Sequence, residues 1–75
     1  MSSIHDPRYQ NLIKNLISAR ELKNITQVEL ASSLKKSQSY VAKVENFDRR
    51  IDVIELHDWL NVLEISITKF LKDSL

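Results

Sequence analysis

Few side chains in this sequence could act as nucleophiles, general bases or metal ligands. There is no cysteine, and the two histidines, His5 and His57, lie far apart along the chain. A structural zinc site and a thiolate nucleophile are therefore excluded, and without glycine there is no loop to cradle a phosphate. Asp58 follows His57 directly, so the two side chains are expected to face different directions around a helix. We accordingly expect no enzymatic activity, no metal and no cofactor.

The sequence is richer in side chains that form directional hydrogen bonds. Gln27 and Gln38 are separated by eleven positions within an apolar pattern, and Ser39 and Lys43 follow closely. A carboxamide offers both a donor and an acceptor, a hydroxyl can do either, and an ammonium group only donates. Such groups suit the recognition of another molecule, although a glutamine on an exposed helix is more often simply solvated.

The charged residues are unevenly distributed, although the formal charge is only +1. Between positions 8 and 50, nine lysines and arginines stand against four acidic residues. From position 51 onward, two lysines stand against five acidic residues. A basic front and an acidic rear would let one face of the protein approach phosphates, but an ordinary solvated surface explains the same counts equally well.

The length and hydropathy of the chain favour a single small domain. A core built from 75 residues gives marginal stability unless helices pack efficiently or subunits associate. The stretch from Met1 to Pro7 lacks the apolar core of a signal peptide, and no apolar run approaches the roughly 20 residues that span a bilayer. We therefore expect a cytoplasmic protein without membrane contact.

The spacing of apolar residues predicts an all-α fold, because they recur every three or four positions rather than alternating. Helix starts are predicted from N-cap residues, from a proline at the first helical position and from two capping boxes, Thr26 with Glu29 and Asp52 with Glu55. The five predicted helices run from Pro7 to about Lys23, from Gln27 through Leu34, from Gln38 to about Glu45, from after Asp52 through Leu63, and from after Ser66 through Leu71.

Each predicted helix carries an apolar stripe that would face a common core. Trp59 and Phe70 stand at helical spacing with their neighbours Leu60 and Leu71, which favours core packing over a ligand pocket. The stripes of the first three helices are formed by Leu12, Ile13, Leu16, Ile17, Ala19, Val28, Leu30, Ala31, Leu34, Val41 and Val44.

The segment 26–45, TQVELASSLKKSQSYVAKVE, resembles the helix-turn-helix of the phage repressor/Cro, or Xre-like, family of regulators. Gln27 and Gln38 match the residues that open its two helices, and Ala31 matches the small residue where the helices cross. Val41 and Val44 match apolar positions that lock the recognition helix in place. The resemblance extends upstream through LISARELKNITQ and downstream through RRIDVIELHDWLNVLEISITKFL, so it covers about residues 8–72.

This resemblance implies both a fold and a function. The fold is a compact, all-α, lambda-repressor-like domain of five helices, in which helices 2 and 3 form the helix-turn-helix. Residues 7–75 would make up this single domain, and residues 1–6 an N-terminal tail. The implied function is that of a sequence-specific transcriptional repressor, which binds a palindromic operator in double-stranded DNA as a homodimer.

In such an arrangement the first turn of helix 3 reads the DNA sequence, because a helix fits the major groove and its N-terminal side chains reach the base edges. Gln38 can then make a paired contact to adenine, and Ser39 can donate or accept one hydrogen bond. Lys43, about one turn further, can reach guanine acceptors or a phosphate. Tyr40 is a further base contact, packing on a thymine methyl group or on the sugar backbone, or equally lies against its own helix.

The resemblance also assigns contacts to the DNA backbone. Gln27 is expected to bind a phosphate while it braces Gln38. Lys35 and Lys36 could also be phosphate contacts, although a charged turn is more often only a soluble one, and of the two Lys36 is assigned to a phosphate. The remaining backbone contacts are expected from Thr26, Asn46, Arg49 and Arg50.

Two further pairs of residues are assigned by the resemblance. An arginine in the first helix of the family pairs with a glutamate at the end of the third, so Arg20 and Glu45 are expected to form a partly buried ion pair. Family members often associate through the fifth helix and the connection before it. Ile67 and Lys69 are therefore assigned to a dimer interface, with simple burial or exposure as the alternative.

The turns of this sequence depart from the family pattern. Glycines that are usual in the family correspond here to Asn24, Lys35, Phe47 and Glu64. Asparagine tolerates the left-handed conformation that ends helices, so Asn24, and Asn46 beside Phe47, are expected to substitute for glycine. At Lys35 and Glu64, either the turn takes another conformation or the chain bears strain.

A second interpretation keeps the fold but not the DNA recognition. The chain would then be a protein–protein interaction module or an antitoxin-like partner of another protein. The missing glycines and the nearly neutral net charge leave room for this alternative. The two interpretations differ in the salt dependence of DNA affinity, which only a DNA-binding protein shows.

Overall fold

The computed structural model describes residues 4–75, so residues 1–3 of the expected N-terminal tail lie outside the described residues. Within that range the chain forms helices and no strands, which confirms the predicted all-α fold of five helices. The helices are α1 (Pro7–Leu22), α2 (Gln27–Leu34), α3 (Gln38–Glu45), α4 (Val53–Val62) and α5 (Ile67–Ser74).

Each helix begins directly after the N-cap residue that the sequence predicts. Both capping boxes form: the Thr26 hydroxyl accepts from the Glu29 N–H at 3.1 Å, and the Glu29 carboxylate accepts from the Thr26 N–H at 2.9 Å. Asp52 and Glu55 repeat this exchange at 2.7 and 3.0 Å. Because each cap supplies about 1 kcal/mol, the caps fix the boundaries of helices too short to be stable alone. The remaining N-caps are Asp6, Ser37 and Ser66.

The turns that lack glycine keep the left-handed conformation. The φ angles are 56° at Asn24, 59° at Lys35, 63° at Phe47 and 58° at Glu64. A side chain in this region costs roughly 1–2 kcal/mol, so the chain bears strain at Lys35 and Glu64 rather than adopting other turns. The expectation that Asn46 would substitute for glycine beside Phe47 is wrong, since Asn46 has a φ of −90°.

The reason for this difference lies in how α3 ends. The Asp48 N–H donates to the Lys43 carbonyl at 2.8 Å, and the Phe47 N–H donates to the Val44 carbonyl at 3.2 Å. Closing the helix with these bonds requires the left-handed residue at Phe47, one position beyond Asn46. The Phe47 side chain is half-buried against the core, which offsets part of the backbone strain.

The core lies where the apolar stripes of the helices meet. Trp59 of α4 is fully buried and is the largest of the fully buried side chains. Val28 is a wrong core prediction because the residue is 63% exposed. It lies two residues before Leu30, which turns it away from the stripe that α2 buries. The buried apolar residues are Ile13, Leu16, Leu30, Ala31, Val41, Val44, Ile51, Leu56, Trp59, Leu60, Leu63 and Phe70.

The last helix is fastened to the first by side-chain amides. Asn11 Nδ2 donates to the Ser74 carbonyl, and Asn15 Nδ2 donates to Ser74 Oγ, each at 2.9 Å. Asp6 and Leu75 line the same surface cavity, so the start of α1 and the end of α5 lie side by side. The eight-residue α5 is thereby held on a scaffold that also carries α3.

Candidate nucleic-acid interface

One side of helix α3 is buried against the rest of the protein, and the other side is exposed to solvent. Val41 and Val44 are fully buried, and Ala31 of α2 is 2% exposed where the two helices pack. The side chains of Gln38, Ser39 and Lys43, in contrast, are exposed to solvent. These are three of the four residues from which the sequence predicts contacts to bases.

A hydrogen bond fixes the side chain of Gln38 although that side chain is exposed. Gln38 Nε2 donates to Gln27 Oε1 at 2.9 Å, and Gln27 Nε2 donates in turn to Glu45 Oε1 at 2.9 Å. Gln27 is half-buried between these partners. The expected bracing of Gln38 by Gln27 is therefore present as a direct contact, with Glu45 as an additional anchor that the sequence did not predict.

Arg20 and Glu45 form a buried, bidentate ion pair between α1 and α3. Arg20 Nε lies 2.8 Å from Glu45 Oε2, and Arg20 Nη2 donates to Glu45 Oε1 at 3.0 Å. A third guanidinium nitrogen, Nη1, donates to the Ile25 carbonyl at 2.7 Å. The two side chains are only 11% and 5% exposed, so the pair is screened little by water. It holds the C-terminal end of α3 against α1.

Tyr40 of α3 lies against α4. Its hydroxyl donates to Glu55 Oε2 at 3.1 Å and accepts from Trp59 Nε1 at 3.0 Å. The guanidinium of Arg49 lies 4.8 Å from the ring centroid, and Lys36 Nζ lies 5.6 Å from it. Burial raises the pKa of Tyr40, while the hydrogen bond from Trp59 partly opposes that rise. The hydroxyl is thus already occupied by partners within the protein.

The expected DNA-backbone residues flank α3 at both ends. Lys36 is exposed before α3 and Asn46 is exposed at its C-cap. Arg49 Nη1 lies 3.0 Å from Glu55 Oε2 and also donates to the Arg50 carbonyl. The Arg50 guanidinium lies 5.5 Å from the ring centroid of Tyr9 in α1. Thr26, which caps α2, is exposed next to Gln27.

A comparison of the sequence with models of known protein families identifies the family of this chain. The model of the family HTH_3, described as helix-turn-helix, matches residues 16–70, which is well over half of the chain. The chain belongs to this helix-turn-helix family. The membership confirms the resemblance to Xre/Cro-like regulators and makes the molecule a DNA-binding helix-turn-helix regulator, of a family that is generally non-enzymatic. Among curated proteins, no match to the chain was found.

The two residues assigned to a dimer interface of this helix-turn-helix protein lie in different grooves. Lys69 lines a groove between α1 and α5, together with Ala19 and Leu22, and Leu22 is 84% exposed. Ile67 is half-buried and lines a second groove, with His57 of α4 among its neighbours. Both grooves lie on the surface of α5.

The expectation that His57 and Asp58 face different directions is wrong. His57 Nδ1 lies 3.5 Å from Asp58 Oδ1 at the surface of α4, so the two side chains approach each other. The side chains are 64% and 61% exposed, so this contact lies in water. Across residues 4–75 of the helix-turn-helix protein, no group of three metal-ligating side chains converges.

Hydropathy gives one further structural finding. None of the helices in residues 4–75 is both long enough and apolar enough to cross a membrane. The longest helix of this helix-turn-helix domain, α1, has 16 residues and exposes polar side chains along its length.

Proposed function

We propose that the chain represses transcription in the cytoplasm by reading a specific DNA sequence in the major groove with α3. The observation that carries this proposal is the state of Gln38, which is exposed to solvent and yet fixed by a hydrogen bond to Gln27. A recognition residue must reach the bases without losing its orientation. A glutamine that was merely solvated would have no such brace.

The exposed side of α3 supplies the contacts to bases. Gln38 has one N–H and its carbonyl oxygen left to pair with adenine, which offers an acceptor and a donor in the major groove. Ser39 adds one short hydrogen bond, and Lys43 reaches guanine acceptors or a phosphate. We assign Tyr40 to positioning α3 against α4, because Glu55 and Trp59 occupy its hydroxyl.

Contacts to phosphates would hold α3 in the groove. Gln27 and the exposed start of α2 approach one strand, as helix N-termini commonly do. The guanidinium of Arg49 has donors beyond the one near Glu55, so it can bind a phosphate without breaking that contact. The other proposed phosphate contacts are Thr26, Lys36, Asn46 and Arg50.

We propose further that two copies bind one palindromic operator. A single helix-turn-helix contacts only about half of such a site, so a symmetric dimer doubles the contacts. The surface of α5, with Ile67 and Lys69, is the proposed interface. Sedimentation at high micromolar concentration tests it: the chain should form a dimer, and Ile67→Lys should give a monomer, whereas Val53→Lys, at an exposed site of α4, should not.

Selection of bound duplexes from a random pool tests the proposed DNA recognition. The chain should enrich a palindromic sequence, and its affinity should fall steeply with salt. Gln38→Ala should lower the preference at one base position by about 1–3 kcal/mol. Lys43→Ala should weaken binding, whereas Lys72→Ala, which removes an exposed lysine from α5, should not. A pool with no enriched sequence would refute the proposal.

An antitoxin-like or adaptor function is the second candidate. It is favoured by the groove between α1 and α5, where Leu22 exposes most of its apolar surface. A protein partner seated there would cover Leu22 and the side of Ala19. Under this function DNA affinity would show no sequence preference, and Gln38→Ala would change nothing, so the pool selection separates the two candidates.

A further inference from the structure

We infer that Glu45 is a positioning residue which determines the base preference of Gln38, because it fixes which atom of each amide points outward. This inference rests on the proposed function. It concerns the chain of contacts from the buried ion pair through Gln27 to the exposed Gln38. The ion pair would then contribute to DNA sequence recognition as well as to stability.

The buried ion pair of Arg20 and Glu45 determines the direction of every hydrogen bond in this series of contacts. Arg20 only donates hydrogen bonds, so the group facing it must accept. The ionised carboxylate of Glu45 only accepts, and it also receives the bond from Gln27. Gln27 must therefore turn Nε2, and not Oε1, toward Glu45.

The consequence passes from α2 to the exposed surface. With Nε2 bound to Glu45, the atom that Gln27 turns toward Gln38 is Oε1, which only accepts. Gln38 must then donate through its own Nε2. This leaves Oε1 and the second N–H of Gln38 for the DNA, with the acceptor and the donor in a fixed order. An adenine offers its acceptor and donor in one order only, so a fixed amide selects it.

Reversal of the Gln38 amide would propagate back to the ion pair. A flipped Gln27 would set its Oε1 against Glu45 Oε1, so two acceptors would face each other. The Glu45 side chain is 5% exposed, and little water can enter to bridge them. Glu45 thus prevents the flipped orientation of the Gln38 amide, although Glu45 contacts Gln27 and not Gln38 itself. An exposed glutamine without this support could adopt either amide orientation.

The substitution Glu45→Gln tests this inference with almost no change in shape. A glutamine at 45 can keep Oε1 as the acceptor of Arg20 Nε and turn Nε2 toward Gln27, at the cost of the bond from Arg20 Nη2. This orientation would reverse both downstream amides. Preference at the base facing Gln38 should fall by roughly 5- to 150-fold or pass to another base. Preference at the other positions and the salt dependence of affinity should stay as in the unmodified chain.

A matched control is available on the opposite side of α3. Glu55 also accepts a hydrogen bond from an α3 side chain, but that bond comes from Tyr40 and leads to no residue proposed to read bases. Glu55→Gln should leave the preference at the Gln38 position unchanged. An equal loss of preference in Glu55→Gln and Glu45→Gln would mean that general loosening of α3 is responsible, which would overturn the inference.

A second variant covers the case in which Glu45→Gln fails to fold. The double substitution Arg20→Met with Glu45→Met replaces the buried charges by apolar side chains of similar size, which proteins often tolerate without loss of stability. It also removes the group that orients Gln27. The preference at the base facing Gln38 should again fall by about 5- to 150-fold. A folded double variant with the original preference would overturn the inference.

The carboxamide NMR signals of the free protein distinguish this inference from the proposed function. The side-chain N–H signals of Gln27 and Gln38 should both shift in Glu45→Gln and stay in place in Glu55→Gln, with no DNA present. Unshifted signals in Glu45→Gln would overturn the inference even if the protein reads DNA. Shifted signals together with an unselective duplex pool would support the chain of contacts and refute the proposed function.

Discussion

Two polar clusters of different construction hold α3 in place. The ion-pair cluster consists of Arg20, Gln27, Gln38 and Glu45, and it joins α1, α2 and α3. The tyrosine cluster lies around the hydroxyl of Tyr40, with Glu55, Trp59 and Arg49, and joins α3 to α4.

The clusters differ in burial and in where they lead. The ion pair is buried, and hydrogen bonds lead from it through Gln27 to the exposed Gln38. The hydroxyl of Tyr40, in contrast, is hydrogen-bonded within residues 4–75 only to Glu55 and Trp59, and these bonds lead to no exposed side chain of α3. One cluster therefore combines support of α3 with control of an exposed amide, and the other supplies support alone. Two anchors of one helix therefore need not be equivalent for recognition. The following substitutions test that difference.

The largest effect is expected from Glu45→Ala. It leaves the Arg20 guanidinium buried without its partner, which costs about 3 kcal/mol or more. For a domain of this size, such a loss lowers the melting temperature by roughly 12–24 °C. Thermal unfolding followed by circular dichroism measures the change. An unchanged melting temperature would show that the ion pair does not support α3.

Tyr40→Phe should have a smaller effect. It removes the acceptor of Trp59 Nε1 and the donor to Glu55 while the aromatic ring stays in place. The hydrogen bond to the Glu55 carboxylate is charge-assisted, and Trp59 Nε1 is left without an acceptor, so the loss is about 2–3 kcal/mol. Urea unfolding should show this loss, and the base preference of the folded variant should remain unchanged. A changed base preference would make the two clusters alike.

The same hydroxyl predicts how stability depends on pH. Burial raises the pKa of Tyr40 above its usual value of 10, so the folded protein holds this proton more tightly than the unfolded chain. The associated stability is fully present below pH 10 and is lost as the pH rises through the folded pKa. Urea midpoints measured from pH 8 upward should fall more steeply for the unmodified chain than for Tyr40→Phe. Parallel profiles would contradict this.

The smallest change in stability is expected from Arg49→Ala. Its ion pair with Glu55 is partly exposed, and such pairs contribute about 0–1 kcal/mol. If Arg49 binds a phosphate, however, the slope of log affinity against log salt should decrease by about one. Unfolding and DNA titrations on one protein sample measure both. A large loss of stability with an unchanged slope would place Arg49 entirely within the tyrosine cluster.

The sequence predicted those features of the fold that depend on neighbouring residues. The Thr26 and Asp52 capping boxes located the starts of α2 and α4, because an N-cap and its third helical residue satisfy each other within a few positions. The family resemblance added Arg20 and Glu45, which lie in different helices and which no local pattern would have paired. It did so because the paired positions belong to the shared fold.

What the sequence did not predict depends on contacts over longer distances or on small differences in backbone geometry. The partners of Tyr40 lie 15 and 19 positions away on α4, and a glutamate and a tryptophan there gave no local sign of their role. At Lys35 and Glu64, the sequence could not decide between another turn and a strained one. The helix ends decide it, because their closing hydrogen bonds need a left-handed residue.

The adjacency of Asp6 and Leu75 in one cavity means that the order of the helices along the chain can be rearranged. A short flexible linker between these positions would allow new termini to be opened elsewhere, for instance at the exposed turn around Asn24. Such a circular permutant would retain α2 and α3 as one uninterrupted segment. It would place both new ends beside that segment, where a fluorophore or a fused domain would report on DNA binding.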